Sequence, residues 1–226
     1  MDLKGSDSPV TQPKISELRH RLPAAQRRSQ LLDVAIERFA AGGFHATSMD
    51  DIADAAGVTK PVLYQHFHSK RQLYRELLDT VGQELLEAVA TSAAAETAPF
   101  RRVLAGFCAY FKFVRDKTAG FQLLFGSGAR RTDEFADSVR KLEESVAATI
   151  GSFIDADIEG EHRHLLGYAI VGLAEVAGRH WVTQSEAGDA KLSKAEGDRL
   201  AQQLADFAWA GLRGLPGGAT REGTGS

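Results

Sequence analysis

The stretch from Thr47 to Lys70 reads TSMDDIADAAGVTKPVLYQHFHSK. It gathers the residue types that nucleic-acid recognition needs. Lys60 can donate to the acceptor edge of guanine or to phosphate, and Pro61 and Val62 offer apolar contact to thymine methyls. The phenol of Tyr64 can reach a base edge or a phosphate, and Gln65 can do either. Thr59 stands just before them, where its side chain can cap a helix. Leu63 and Phe67 have the types and spacing of core residues.

These groups work only if something holds them to a groove. The pattern supplies two short helices meeting at Ala56-Gly57-Val58, the layout of a helix-turn-helix. The first braces the second, whose outer face meets base edges near its N-terminus. A glycine lets the axes cross steeply, and alanines at 53, 55 and 56 permit close approach. Thr47 or Ser48 caps the first short helix, and Asp50 and Asp51 suit its positive end. Ahead of it, Leu31, Leu32, Ala35, Ile36 and Phe39 predict a helix over 24–41, stopped by Gly42-Gly43. After it, Ser69 caps a long helix reaching residue 95, with Leu73, Leu77, Val81, Leu85, Leu86 and Val89 turned inward.

The segment resembles the DNA-binding domain of the tetracycline-repressor (TetR) family. The matching features are Phe39, Gly43-Phe44, Thr47, Ile52-Ala53, Ala56-Gly57-Val58, the run Leu63 to Phe67, and Lys70, covering about residues 24–82. The resemblance implies that His66, Lys70, Thr47 and Ser48 clamp phosphates. Family members often carry a small polar residue where Val62 stands. The resemblance also implies an all-α fold: an N-terminal three-helix helix-turn-helix domain joined by a long helix to a C-terminal ligand-binding and dimerisation domain.

Charge distribution agrees. The net charge is −3. Residues 1–82 hold 11 basic against 10 acidic residues, while 83–226 hold 16 against 20, so the surplus of acid lies in the body. Lys14, Arg19, Arg21, Arg27 and Arg28 oppose only Glu17, giving a basic arm. Such arms follow the DNA backbone or enter the minor groove, with Arg27 and Arg28 the foremost candidates. Residues 1–22 read as a disordered arm, 23–70 as the DNA-binding domain, 71–215 as the effector and dimerisation domain, and 216–226 as a disordered tail.

Within the body, helices are expected over 99–116, 121–125, 132–154, 162–184 and 193–215. The middle is rich in aromatic residues. Phe107, Tyr110, Phe111, Phe121 and Phe125, with Leu124 and Trp181, are candidates for an effector pocket. At helical period they cannot all face one core, so cavity lining and plain core packing are both open. A pocket so lined suits a small hydrophobic effector. The segments KPVLYQHF, FQLLF, the Trp181 region and FAWAGL are similar to fatty-acid-synthesis regulators, which answer acyl-CoA. The last two long helices are expected to form a homodimer interface. Gly167, Gly172 and Gly178 would thin one helix, and Leu200, Leu204, Phe207, Ala208 and Leu212 would stripe the other. One domain covers only a few base pairs, so pairing on a palindromic, double-stranded operator follows.

Other classes fit poorly. No apolar run is long enough for a membrane span. A single cysteine, Cys108, excludes an internal disulfide and a thiolate metal cage, and a reducing cytoplasm is expected. Glu161, His162 and His164 resemble a metal cluster, but the histidines are two apart and diverge on a helix, whereas helical zinc pairs are four apart. No phosphate loop or nucleophile elbow is present. A catalytic role and a bound cofactor are therefore not expected, and Arg density is too low for a nonspecific DNA-coating protein.

Overall fold

The computed structural model describes residues 23–126 and 133–217; within them the chain is helical and contains no strand. The basic arm over 1–22, the tail beyond residue 217 and the link through Thr132 lie outside the described residues. Among the described helices none is long and apolar enough to cross a membrane.

The head is α1 (Ala24–Ala46), α2 (Met49–Ala55) and α3 (Lys60–His66). Leu31, Ala35 and Phe39, four residues apart, are buried, as a single helical face requires. The helix does not end at residue 41. Gly43 breaks it with φ 74° and ψ 169°, and one further turn follows through Ala46. Only glycine takes such a φ cheaply, and the break turns Phe44 inward, where it is buried.

α2 starts on a capping box: the Ser48 hydroxyl accepts from the Asp51 amide at 3.1 Å, and the Asp51 carboxylate accepts from the Ser48 amide at 2.8 Å. The Ser48 hydroxyl also donates to that carboxylate, at 2.7 Å, and this bond, with the one from the Ser48 amide, holds the Asp51 carboxyl below its ordinary value. Gly57 (φ 64°) makes the turn. α3 then begins after Thr59, which makes no side-chain cap, with Pro61 in its first turn, where a missing N–H costs nothing.

α4 (Lys70–Ala94) leaves the head on a Ser69 cap, the hydroxyl accepting from the Gln72 amide at 3.1 Å. Its 25 residues span about 37 Å, enough to run from head to body. The body comprises α5 (Pro99–Asp116), α6 (Thr118–Phe125), α7 (Asp133–Ser152), α8 (Gly160–Ala187) and α9 (Lys194–Leu212). α5 packs between α4 and α9, α7 lies along α8 and also touches α4, and α6 reaches back to α1.

One contiguous core joins both parts, running from Leu31 and Ile52 through Tyr74 and Leu85 to Phe111, Trp181 and Ala205. The junction is aromatic. Phe135, fully buried at the start of α7, sets its ring 4.8 Å from Phe44 and 4.6 Å from Tyr74. Phe39 meets Tyr74 edge-on at 5.0 Å. Edge-to-face pairs of this kind contribute beyond their buried area. Further along α7, Leu142 sits against Gly82 of α4, where a Cβ would come within 2.8 Å of its side chain.

Candidate nucleic-acid interface and ligand cavity

The sequence candidates in the head divide into an outward face and an inner frame. Thr59, Lys60, Pro61, Tyr64 and Gln65 are exposed on and just before α3, while Val62 and His66 are half-buried. Tyr64 is one of the few exposed large hydrophobic residues. Leu63 and Phe67 are fully buried and fasten the other side of α3 to the core. Lys60 pairs with Asp50 of α2 at 2.8 Å. The hydrogen bond to Asp50 raises the lysine's pKa above its ordinary value, so its ammonium is charged at any physiological pH. Asp50 was expected only to favour the helix N-terminus; its pairing across ten residues has no sequence signal beyond charge.

Three of the expected contacts, Thr47, Lys70 and Arg28, are tied into the frame. Thr47 is 5% exposed and its hydroxyl donates to the Arg38 carbonyl at 3.1 Å. Gly42 makes room for it, since a Cβ there would lie 2.9 Å from that hydroxyl. The Lys70 ammonium donates to the Phe44 and Thr47 carbonyls at 2.8 and 2.9 Å and sits 4.4 Å above the Phe44 ring. It closes the open end of α1 rather than presenting to solvent. Arg28 pairs with Glu76 of α4 and stacks over Phe67 at 4.8 Å. Ser48 is exposed, but its hydroxyl serves the α2 cap. Arg27 is half-buried and donates to Gln30 at 2.8 Å. For Thr47, Lys70 and Arg28 the partner is distant in sequence and invisible there; for Ser48 and Arg27 it lies three positions on.

The body holds a mostly apolar cavity bordered by α4 through α9, with Leu85, Val89, Val103, Gly106, Leu142 and Ile170 among its walls. Of the seven sequence candidates, Phe107, Tyr110 and Phe125 line it. The other four do not. Phe111 turns to α8 and meets Trp181 at 5.8 Å. Phe121 packs against Tyr110 and Phe125, at 6.2 and 5.2 Å. Leu124 is fully buried away from the cavity. The reason is helical period: 99, 103, 106, 107 and 110 share one face of α5, and Phe111 points elsewhere. That spacing was readable, and would have added Val103 and Gly106. Trp209, Val89 and Leu142 come from other helices and carried no such signal.

The glycines of α8 also differ from expectation. Gly167 abuts the Ala147 backbone, and Gly178 abuts the Tyr110 hydroxyl, so both serve packing inside the chain. Of the three expected at the interface, only Gly172 faces open space. Ala208 is buried and Leu212 lines the cavity, whereas Phe207 of α9 and Leu165 and Val176 of α8 are 66%, 65% and 58% exposed. Cys108 is half-buried, and burial raises its thiol pKa. No cluster of metal-ligating side chains occurs among the described residues.

A braced helix-turn-helix on a helical body with an internal cavity defines a class of DNA-binding transcription regulator. Residues 31–77 match the family model of bacterial regulatory proteins of the tetR type, and residues 99–211 match that of a tetracyclin repressor-like C-terminal domain. The chain belongs to the tetracycline-repressor family. It is 33% identical over 199 residues to the HTH-type transcriptional activator FasR of Mycolicibacterium smegmatis, covering 87% of this chain and 88% of that protein. It is 30% identical over 155 residues to the HTH-type transcriptional repressor KstR2 of the same organism, covering 62% of this chain and 75% of that one. Among solved structures, a TetR-like regulator from Rhodococcus sp. RHA1 superposes with a TM-score of 0.69 at 27% identity, over 86% of this chain and all of that chain. The fatty acid degradation regulator FadR from Bacillus halodurans shares the fold, with a TM-score of 0.66 at 17% identity over 79% of this chain and 94% of that one.

Proposed function

We propose that the chain is a ligand-responsive repressor that binds a palindromic operator as a homodimer. A small hydrophobic effector of the acyl or acyl-CoA type controls its affinity for DNA. The observation that carries the reading is the outward face of α3: Lys60, Pro61, Tyr64 and Gln65 are exposed together on a helix anchored by Leu63 and Phe67. Lys60 reads guanine or phosphate, Tyr64 and Gln65 reach base edges or phosphate, and Pro61 and Val62 meet thymine methyls. Thr59, Ser48, His66 and Arg27 lie within reach of the backbone. Thr47, Lys70 and Arg28 act through the frame that holds α3 in place. In this reading residues 23–70 form the DNA-binding part and 71–215 the effector and dimerisation part.

Exposed Leu165, Val176 and Phe207 on the last two helices supply the dimer surface, a self-complementary four-helix contact. The cavity supplies the switch. Leu142 lines it and also seats against Gly82 of α4. A ligand that shifts α7 therefore shifts the helix leading into the head, and with it the separation of the two recognition helices. The shift is limited by the ligand's differential affinity for the two states.

Selection of bound duplexes from a random pool at two salt concentrations tests the core of this reading. A two-fold symmetric consensus supports it; binding with no consensus that vanishes at moderate salt overturns it, since that is phosphate attraction alone. A second reading, activation, is favoured by the long match to a protein named an activator. A reporter carrying the selected operator upstream of, or overlapping, the promoter separates the two.

A further inference from the structure

Two residues that line the cavity each carry a buried hydrogen-bond donor without an acceptor among the described protein atoms. The donors are the Tyr110 hydroxyl and the Trp209 indole N–H. Tyr110 is 7% exposed and Trp209 6%. A third such donor, Trp181 Nε1, belongs to a residue that does not line this cavity and is wedged between Phe111 and Gly197. Donors buried in apolar surroundings are normally satisfied, so two of them on one apolar cavity point to what fills it.

The two donors stand at different depths. α5 serves as the ruler. The Trp209 ring lies 5.9 Å from that of Phe100, at the start of α5, and Tyr110 is ten residues further along. At helical rise that is roughly 15 Å. The Trp209 end carries a basic group. Arg102 and Asp155 border the cavity there, and the Arg102 guanidinium lies 5.6 Å over Phe153 while donating to the Glu96 carbonyl. At the other end the Tyr110 hydroxyl lies against Gly178, near buried Glu175, which also lines the cavity and is ion-paired to Arg179 at 2.7 Å. Between the ends the walls are Val89, Leu85, Val103, Gly106 and Phe107.

We infer that the effector is oxygenated at both ends: a carboxyl-derived head taken by Trp209 and Arg102, an apolar middle, and a hydroxyl or carbonyl oxygen about 15 Å deeper that accepts from Tyr110. This rests on the cavity being the effector site. A plain alkyl terminus would leave the Tyr110 hydroxyl buried against methylenes. A site built around a polar group rejects the analogue that lacks it, because the donor is then left unpaired. Burial and the nearby Glu175 raise the phenol's pKa well above its ordinary value, so it stays a donor at physiological pH.

The test is calorimetric titration of the full chain with two matched series: straight-chain ω-hydroxy acids from decanoic to hexadecanoic, and their unsubstituted parents. One ω-hydroxy length is expected to bind about tenfold tighter than its parent. Tyr110→Phe, which keeps the ring and discards only the oxygen, is expected to erase that preference while leaving the parent's affinity unchanged or improved. Trp209→Phe is expected to weaken both series alike. Parents that bind as well as their hydroxylated partners at every length overturn the inference and leave the cavity reading standing. So does a preference that survives in Tyr110→Phe. Failure of both series to bind a cooperatively melting protein overturns the cavity reading and this inference together.

Discussion

The head and the body use the same material, short apolar stripes on helices, to opposite ends. In the head, buried side chains are anchors and the exposed ones form the proposed recognition face: Leu63 and Phe67 are fully buried so that Lys60 and Tyr64 can face outward. In the body, the proposed effector surface is itself buried. Phe107 and Tyr110 line a cavity while Phe111, next in sequence, fills core. An outward-facing site is written in local sequence, because a turn and a cap decide it. An inward-facing site is written in the packing of six helices, and its members are scattered.

The largest expected effect comes where the two regions meet. Phe135 is fully buried between Phe44 and Tyr74, so Phe135→Ala should cost about 3–5 kcal/mol, the range for aromatic truncation in a core. Chemical denaturation followed by circular dichroism reads this directly. A loss under about 1 kcal/mol would mean that head and body are nearly independent. The same junction has a pH signature. Burial pushes the Tyr74 phenol up to about 12 from its ordinary 10. The unfolded chain then ionises before the folded one, so stability present below pH 10 should be lost between pH 10 and 12. Tyr74→Phe should remove that residue's share of the loss.

A second comparison separates the functions. Tyr64→Ala or Lys60→Ala should weaken operator binding by about 1–3 kcal/mol, roughly ten- to hundredfold, with stability unchanged. Neither should alter effector binding. Lys60→Ala should also lower the salt slope of binding by about one if it meets phosphate, and relax base preference at one position if it meets guanine. Fluorescence anisotropy on the selected operator at several salt concentrations distinguishes these. If Tyr64→Ala binds normally, the exposed phenol is an ordinary surface group.

Two glycines sharpen the contrast further. Gly57 holds φ at 64° in the turn between α2 and α3, so Gly57→Ala should cost roughly 1–2 kcal/mol and loosen α3. Gly106 is helical, and a Cβ there would meet only Val89, at an ordinary 3.8 Å. Gly106→Ala should therefore stabilise by about 0.5–1 kcal/mol, while trimming the cavity and weakening effector binding. Opposite signs of stability change, read by thermal melting, would confirm that the head's glycine serves a conformation and the body's serves a space.

Legibility followed the same division. Element types were read correctly from Ala24 to Leu212, and several boundaries to the residue, because Ser48, Gly57, Ser69 and Pro99 mark them chemically. The end of α1 was not, since Gly43 bends the chain and a further turn forms where Phe44 goes inward to meet Phe135, a partner more than ninety positions away. The surroundings of the site residues were hidden for a related reason. Lys70 and Thr47 were given as phosphate clamps by the family resemblance, with no sign in the sequence of their partners inside the chain. Their partners, the carbonyls of Phe44, Thr47 and Arg38, are backbone atoms that any residue would offer and that only the fold brings close. In the body, the period of α5 was visible in the sequence, but Trp209 and Leu142 reach the cavity from other helices.

The smallest expected effect tests a residue that sequence reading passed over. Asp50 holds the Lys60 ammonium at 2.8 Å on the surface proposed to meet DNA. Both side chains are more than half exposed, so the pair adds little to folding. Its consequence is for binding. Lys60 must leave or share its carboxylate to approach a phosphate or a guanine, and Asp50 adds a negative charge close to the operator. Asp50→Asn removes that charge with little change in shape. Operator affinity should rise a few-fold, and the gain should shrink as salt screens it. If affinity falls instead, Asp50 is orienting Lys60 toward its target rather than restraining it. Asp50→Asn in the Lys60→Ala background then decides between the two: with Lys60 gone an orienting role predicts that the loss disappears, and a restraining pair leaves the part of the gain that comes from removing the negative charge.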